Sequence, residues 1–164
     1  MILNKKIQKV AIVMGSQSDY RVMKKCEEIL KKLKIKFETR IVSAHRTPDR
    51  MFVFAKSAIK NNFAVIIAGA GGSAHLPGMI ASLSSLPVLG VPIETKKLKG
   101  LDSLLSIVQM PKGIPVGTVT IGESGAFNAG LLAASIIALT DNKVKKNLEK
   151  WRRIQTIAIK KKPK

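Results

Sequence analysis

The sequence is poor in cysteine and in long apolar runs, and each shortage excludes a class of protein. Its one cysteine, Cys26, excludes an internal disulfide framework and a zinc site built from several cysteines. No apolar run reaches the roughly 18 residues of a membrane-spanning helix, and residues 1–9 lack the apolar core of a signal peptide. We therefore expect a cytoplasmic protein with no membrane partner.

Acidic residues are scarce as well. The chain has 10 Asp and Glu against 29 Lys and Arg, a formal net charge of +19 at pH 7. Such a charge suits nucleic-acid binding, because basic side chains neutralise phosphates. However, many of the basic residues cluster between Lys143 and Lys164, the others are dispersed, and five Phe, one Trp and one Tyr are few for stacking on bases. We expect a solvated basic surface and no nucleic-acid partner, with RNA binding by the lysine-rich tail as the alternative.

Apolar residues, by contrast, make up 46% of the 164-residue chain, enough for the core of one domain spanning residues 1–164. Short apolar segments alternate with amphipathic ones. Strands are predicted at 10–14, 37–42, 63–68, 87–91 and 116–119, and helices at 18–33, 48–61, 77–84, 101–108, 126–139 and 143–159. This alternation predicts an α/β fold with a parallel sheet and helices on both of its faces.

The last two predicted helices bear on subunit contacts. The helix at 126–139 is nearly all small or apolar, so we expect it to be buried on most sides, in the core or in a subunit interface. The C-terminal amphipathic helix at 143–159 would pack on its own domain or on a neighbour. Its apolar stripe consists of Val144, Leu148, Trp151 and Ile154 or Gln155. The basic tail at 160–164 is expected to fray.

In parallel sheets, ligands bind where loops meet at the carboxyl ends of the strands. The first such loop, Gly15–Asp19, offers a glycine for close approach, hydroxyl donors on Ser16 and Ser18, and the positive end of a helix. Asp19 would repel phosphate but could accept hydrogen bonds from ribose hydroxyls. Capping of the helix by Ser18 or Asp19 explains the same residues equally well.

The second loop, Ser43–Pro48, places His45 beside Arg46 at the start of a helix. Histidine exchanges protons near neutral pH, and arginine is a fixed cation whose shape matches phosphate. The chain has 2 histidines, and both fall in loops of this kind. We therefore interpret this loop as functional rather than as an exposed loop with an incidental histidine.

The third loop, Gly69–Pro77, is rich in glycine, which indicates close backbone approach to a ligand or unusual backbone angles. His75 in this loop could be catalytic. A structural role, in which the ring binds backbone groups of a tight loop, is at least as well supported. We treat His75 as a wall of the site.

The residue types present exclude several kinds of chemistry. No cluster of His, Cys and carboxylates has metal-ligand spacing, the acids are too scattered for a paired-carboxylate hydrolase, and no G-x-S-x-G nucleophile motif occurs. What remains is cofactor-independent proton transfer on a phosphorylated small molecule. A nucleotide-binding module without enzymatic activity is the alternative from another class.

Five segments, in order and over nearly the whole chain, resemble one enzyme family. They are VAIVMGSQSD at 10–19, VSAHRTPDR at 42–50, VIIAGAGGSAHLPGM at 65–79, LPVLGVP at 86–92 and SIVQMPKGIPVGT at 106–118. The sequence resembles the class I N5-carboxyaminoimidazole ribonucleotide mutases of purine biosynthesis. The resemblance implies a three-layer αβα sandwich with a parallel, flavodoxin-like sheet, a homo-octamer, a ribonucleotide substrate, and no metal or organic cofactor.

The resemblance also implies roles for individual residues. His45 would be the general acid/base that converts N5-carboxyaminoimidazole ribonucleotide into 4-carboxy-5-aminoimidazole ribonucleotide through loss and recapture of CO2. The implied substrate-binding residues are Ser16, Ser18, Asp19, Ser43, Arg46, Gly71, Gly72, His75 and Leu76. Arg46 and the serines would hold the phosphate, Asp19 the ribose, and the glycine segment the imidazole and the migrating carboxylate. The class II carboxylase, which adds CO2 directly to aminoimidazole ribonucleotide, is the nearest alternative.

Overall fold

The computed structural model describes residues 8–162, and within them the chain forms five strands and six α-helices. The strands are β1 (Lys9–Met14), β2 (Phe37–Ile41), β3 (Phe63–Gly71), β4 (Val88–Ile93) and β5 (Gly117–Thr118). The helices are α1 (Tyr20–Lys32), α2 (Pro48–Ser57), α3 (Leu76–Leu83), α4 (Leu101–Val108), α5 (Gly122–Ala138) and α6 (Asn142–Ala158). Every strand and helix predicted from the sequence is present, so the predicted alternation is confirmed.

The strands form one parallel sheet in the order β2-β1-β3-β4-β5. Val10 of β1 lies level with Phe37 of β2 on one side and with Val65 of β3 on the other. The chain leaves β1 towards β2 and then returns to β3 on the opposite side of β1. The loops that follow β1 and β3 therefore diverge and leave a crevice at the carboxyl ends of these strands. The predicted parallel, flavodoxin-like sheet is confirmed.

Alternate residues of the central strands pack on different helical layers. Val10 and Ile12 of β1 belong to the hydrophobic cluster that includes α1, α5 and α6. Ala11 and Val13 belong to the cluster that includes α2, α3 and α4. All four side chains are buried, as expected for a parallel sheet that is covered on both faces. The protein is therefore a three-layer αβα sandwich.

Helix α5 packs closely against α1. A Cβ atom on Gly130 would lie 2.4 Å from Cγ2 of Ile29, so only glycine allows this approach. The Cys26 thiol donates a hydrogen bond to the Ala126 carbonyl oxygen at 3.0 Å, and burial raises the pKa of the thiol. The outer face of α5 is less covered than the sequence predicts, because Leu132 is 43% exposed.

Three element boundaries differ from the prediction by three residues or more, and two of them involve glycine. Helix α2 ends at Ser57 rather than at residue 61, and residues 58–62 form turns. Helix α5 begins at Gly122, ahead of the predicted start, and its exposed first turn carries Glu123 and Ser124. Strand β3 continues to Gly71, beyond the predicted end, because its last residues pair with β4 until Gly71 lies level with Ile93. This extension carries the backbone of β3 to the edge of the crevice.

Helix α6 packs on its own domain along its first half. Val144 and Leu148 are buried, and the Trp151 ring contacts that of Phe127, with 6.0 Å between the ring centroids. The described residues beyond Trp151 are exposed, and Ile154 at 52% is among them. The predicted apolar stripe is therefore covered only in its first part.

The basic tail follows α6. Lys160–Lys162 are exposed and lie outside any helix or strand. The other residues of the predicted frayed tail, 163–164, lie outside the described residues, as do residues 1–7. Between residues 8 and 162, no helix is long and apolar enough to cross a membrane.

Candidate active site

A cleft of about 420 Å³ opens at the carboxyl ends of β1, β2, β3 and β4. The loops after these four strands form its walls. The predicted site residues that line it are Ser16, Ser18, Asp19, Ser43, His45, Arg46, Gly71, His75 and Leu76. Gly72 is the one predicted site residue that is not among the lining residues.

The loop after β1 is a hydrogen-bonded turn at the start of α1. The Asp19 carboxylate accepts the Ser16 backbone N–H at 2.9 Å and the Ser16 hydroxyl at 3.2 Å. The hydroxyls of Ser16 and Ser18 lie 2.6 Å apart. Asp19 stands at the N-cap position of α1, but its carboxylate bonds back to Ser16 and makes no capping hydrogen bond to the helix. Ser16 and Ser18 both line the cleft. One set of residues serves the fold and supplies polar groups to the site.

Arg46 joins the loops that follow β1 and β2. Its Nη2 donates to the Gly15 carbonyl oxygen at 2.8 Å, and its Nε donates to Ser43 Oγ at 3.3 Å. Ser43 is buried and also accepts the Arg46 backbone N–H at 3.3 Å. The guanidinium is thus held beside the Ser43 hydroxyl, an arrangement that suits a phosphate group.

The two histidines of the chain meet in the cleft. Nε2 of His45 lies 3.0 Å from Nδ1 of His75, and the rings form an edge-to-face pair with 5.1 Å between their centroids. Such a hydrogen bond requires one nitrogen to carry a proton and the other to accept it, so the tautomer of one ring sets that of the other. Both residues are exposed, and the pair can therefore exchange a proton with a bound molecule.

Gly72 supports the third loop from behind the cleft. Its φ angle is +69°, a left-handed value that favours glycine. Its backbone N–H donates to Ser103 Oγ at 2.9 Å, and its carbonyl oxygen accepts the Ser106 hydroxyl at 3.3 Å. The N–H of Gly72 is therefore engaged with α4. The neighbouring Gly71 is exposed and lines the cleft.

Sequence reasoning missed the wall contributed by the loop after β4. Ile93, Glu94 and Thr95 line the cleft there. The Thr95 hydroxyl donates to the Asp102 carboxylate at 2.9 Å, which ties this loop to α4. The segment contains neither histidine nor a glycine run. Its only signal was its position after a buried strand of a parallel sheet.

The Arg46 guanidinium and serine hydroxyls lie where the loops after β1 and β2 meet. The His45–His75 imidazole pair lies where the loops after β2 and β3 meet. The acidic groups along the cleft are Asp19 and Glu94. In the part of the chain that the structure describes, no group of three His, Cys, Asp or Glu side chains could hold a metal ion. The side chains present can bind an anion and move a proton to or from it.

Comparisons with known proteins match nearly the whole chain. Residues 9–157 match the family described as AIR carboxylase. The N5-carboxyaminoimidazole ribonucleotide mutase of Brucella melitensis is 58% identical over 154 residues, which cover 94% of this chain and 95% of the relative. The Escherichia coli K12 protein of the same name is 57% identical over 148 residues, 90% of this chain and 88% of the relative.

A solved structure has the same fold. The crystal structure of Treponema denticola PurE matches this chain with a TM-score of 0.81 and 28% sequence identity. The match covers 91% of this chain and 92% of that chain. The likeness therefore extends over almost the full length of both proteins.

Proposed function

This chain belongs to the AIR carboxylase family, and from that premise we propose that it is an N5-carboxyaminoimidazole ribonucleotide mutase of purine biosynthesis. Such an enzyme converts N5-carboxyaminoimidazole ribonucleotide into 4-carboxy-5-aminoimidazole ribonucleotide. The observation that carries the proposal is that one cleft holds both the His45–His75 pair and the Arg46 guanidinium. Proton transfer on a phosphorylated imidazole nucleotide needs these two kinds of group, a proton carrier and an anion partner.

The substrate phosphate would bind at the Arg46 end of the cleft. Arg46 supplies a fixed positive charge, and the hydroxyls of Ser16, Ser18 and Ser43 supply donors. The Asp19 carboxylate would accept hydrogen bonds from the ribose hydroxyls. With the phosphate and ribose held in this way, the imidazole ring of the substrate lies towards His45.

His45 would move the proton in both halves of the reaction. In the first half, the bond between the exocyclic nitrogen and the carboxylate carbon breaks, CO2 leaves, and the nitrogen takes a proton from His45. In the second half, the ring carbon C4 attacks CO2, and the proton on that carbon passes to His45. The imidazole therefore ends as it began, and the net reaction is an isomerisation without oxidant or co-reactant.

The released CO2 has to stay beside the ring until it is recaptured. The backbone of Gly71 and the side chains of His75, Leu76 and Ile93 line the cleft in which this occurs. Once the substrate fills the cleft, these walls would confine the small molecule beside the ring. Gly72 has its N–H bonded to α4, so we assign it to holding the loop rather than to binding the carboxylate.

The decisive assay supplies the N-carboxylated substrate in buffer purged of bicarbonate. We expect the C4-carboxylated product to form from this substrate alone. Product that forms only from aminoimidazole ribonucleotide and bicarbonate would overturn the mutase assignment in favour of a direct carboxylase. Absence of product from both substrate sets would overturn any assignment to carboxylate transfer.

We further propose that the protein acts as a homo-octamer in the cytoplasm. The family resemblance supports this assembly, and so does an apolar row on α4. Leu101, Leu105 and Val108 in this row are 53%, 49% and 48% exposed. Exposed apolar rows are typical of surfaces that contact other chains. Light scattering should give the mass of an octamer of 17.8 kDa chains, and the mass of a single chain would contradict the proposal.

A further inference from the structure

Ser103 lies beneath the cleft and bonds to the ends of two neighbouring strands. It belongs to α4 and is 0% exposed. Its Oγ donates to the Ile93 carbonyl oxygen at 2.6 Å and accepts the Gly72 N–H at 2.9 Å. Ile93 ends β4, and Gly72 directly follows β3. One buried hydroxyl thus joins two walls of the cleft.

This bonding pattern differs from that of two other helical serines. Ser57 and Ser135 donate to the carbonyl four residues earlier in their own helices, to Val53 and Leu131. That is the usual bond of a helical serine. Ser103 instead bonds to two backbone groups outside its helix. Because the position is sealed from solvent, water cannot replace these two hydrogen bonds if the hydroxyl is removed.

The Ser103 bond acts on the loop that carries His75. The Gly72 carbonyl oxygen accepts the Ala74 N–H at 2.8 Å, within a turn in which Gly72 has its left-handed φ of +69°. His75 follows this turn directly, and its ring contacts His45 at 3.0 Å. The place of the His75 ring therefore depends on the backbone position of Gly72.

We propose, resting on the mutase function above, that Ser103 is a positioning residue for carboxylate transfer. It holds the Gly72 turn against the end of β4, so that His75 keeps its contact with His45 and the cleft wall beside CO2 keeps its shape. Ser103 is fully buried and touches no substrate. Its loss leaves every phosphate-binding side chain in place, so turnover falls more than affinity does, and CO2 escapes more often.

Ser103→Ala tests this role, with Ser135→Ala as the matched control, a helical serine outside the cleft. Substrate with 13C in its carboxylate is turned over beside unlabelled bicarbonate, and the label retained in the product is measured by mass spectrometry. We expect Ser103→Ala to lower kcat by about 10- to 100-fold, since small misplacements have effects of that size. KM should change little, the product should retain less label, and Ser135→Ala should match the unsubstituted protein.

Two more variants separate positioning from folding. Ser103→Cys keeps a weak donor and acceptor at the site, so it should recover part of the kcat and of the retained label. Gly72→Ala meets no atom within 4 Å but is strained at its φ of +69°, so it should lose label even if Ser103→Ala does not fold.

Reduced stability with unchanged label retention in Ser103→Ala and Gly72→Ala would overturn the positioning role, because a purely structural residue does not change the fate of CO2 in each turnover. An unsubstituted protein without mutase activity would overturn the proposed function instead. The activity of the unsubstituted protein therefore distinguishes failure of the positioning role from failure of the proposed function.

Discussion

Replacing His45 by asparagine separates proton transfer from binding. Asparagine is polar but cannot give and retake a proton as imidazole does, while Arg46 and the serines stay in place. We expect nucleotide binding to persist by calorimetry, and turnover to fall by about 100- to 10,000-fold, the range for loss of a general acid/base. Turnover close to that of the unsubstituted protein would remove His45 from the chemistry.

Arg46→Ala should weaken binding more than it slows the bound substrate. It removes the charged guanidinium that is held beside Ser43 at 3.3 Å. Loss of a charged hydrogen bond to the substrate phosphate should lower the affinity by about 10- to 100-fold. Arg152→Ala is the matched control, because Arg152 is exposed on α6 and does not line the cleft. Equal affinity for both variants would contradict the phosphate role of Arg46.

The residues of the site were predictable as far as they are chemically distinctive. His45 and Arg46 stand out because imidazole and guanidinium have few structural uses in a loop. Ile93 and Ser103 are ordinary residues in the sequence. Their parts in the site arise from contacts between α4 and the ends of β3 and β4, and no local pattern indicates such contacts.

At the scale of elements, the close approach of α1 and α5 depends on Gly130. A methyl group there would meet Ile29 at 2.4 Å and the Cys26 carbonyl oxygen at 3.3 Å, so the two helices would have to separate. We expect Gly130→Ala to lower the free energy of unfolding by about 1–3 kcal/mol, the usual cost of overpacking. Chemical denaturation measures this change.

Asn128→Ala is the control for that experiment, because Asn128 is exposed on the same helix. It should leave the free energy of unfolding within about 0.5 kcal/mol of the unsubstituted value. If Gly130→Ala were as stable as this control, the contact between α1 and α5 would be looser than the structure indicates.

The helices and strands were predictable because the spacing of apolar side chains along the sequence differs between the two. Val22, Cys26 and Ile29 of α1 recur at helical spacing, and all three are buried. Two of the three boundaries that differ by three residues or more lie at Gly71 and Gly122. Glycine fits loops as well as the ends of strands and helices, so it does not show which of these it occupies. Pairing with β4 extends β3 as far as Gly71. The first turn of α5 is polar, so the apolar pattern of the sequence does not indicate that the helix begins at Gly122.

At the scale of the whole molecule, the net charge of +19 can be explained by the small anionic substrate of the proposed reaction. A positive field attracts such a substrate, so the charge is compatible with the proposed reaction without any nucleic-acid partner. The exposed lysines at 160–162 add to this field without lining the cleft. Residues 152–162 are exposed, and none of them lines the cleft.

A chain that ends at Ile159 should therefore keep its cellular role. In a bacterial strain without its own mutase, we expect this truncated chain to support growth in medium lacking purines, because α6 is already anchored by Val144 and Leu148. His45→Asn, expressed to the same level by immunoblot, should not support growth. The reverse result, growth with His45→Asn and none with the truncated chain, would place the function in the lysine tail and favour RNA binding. The two variants thus test His45 and the lysine tail against each other, since each removes one and leaves the other intact.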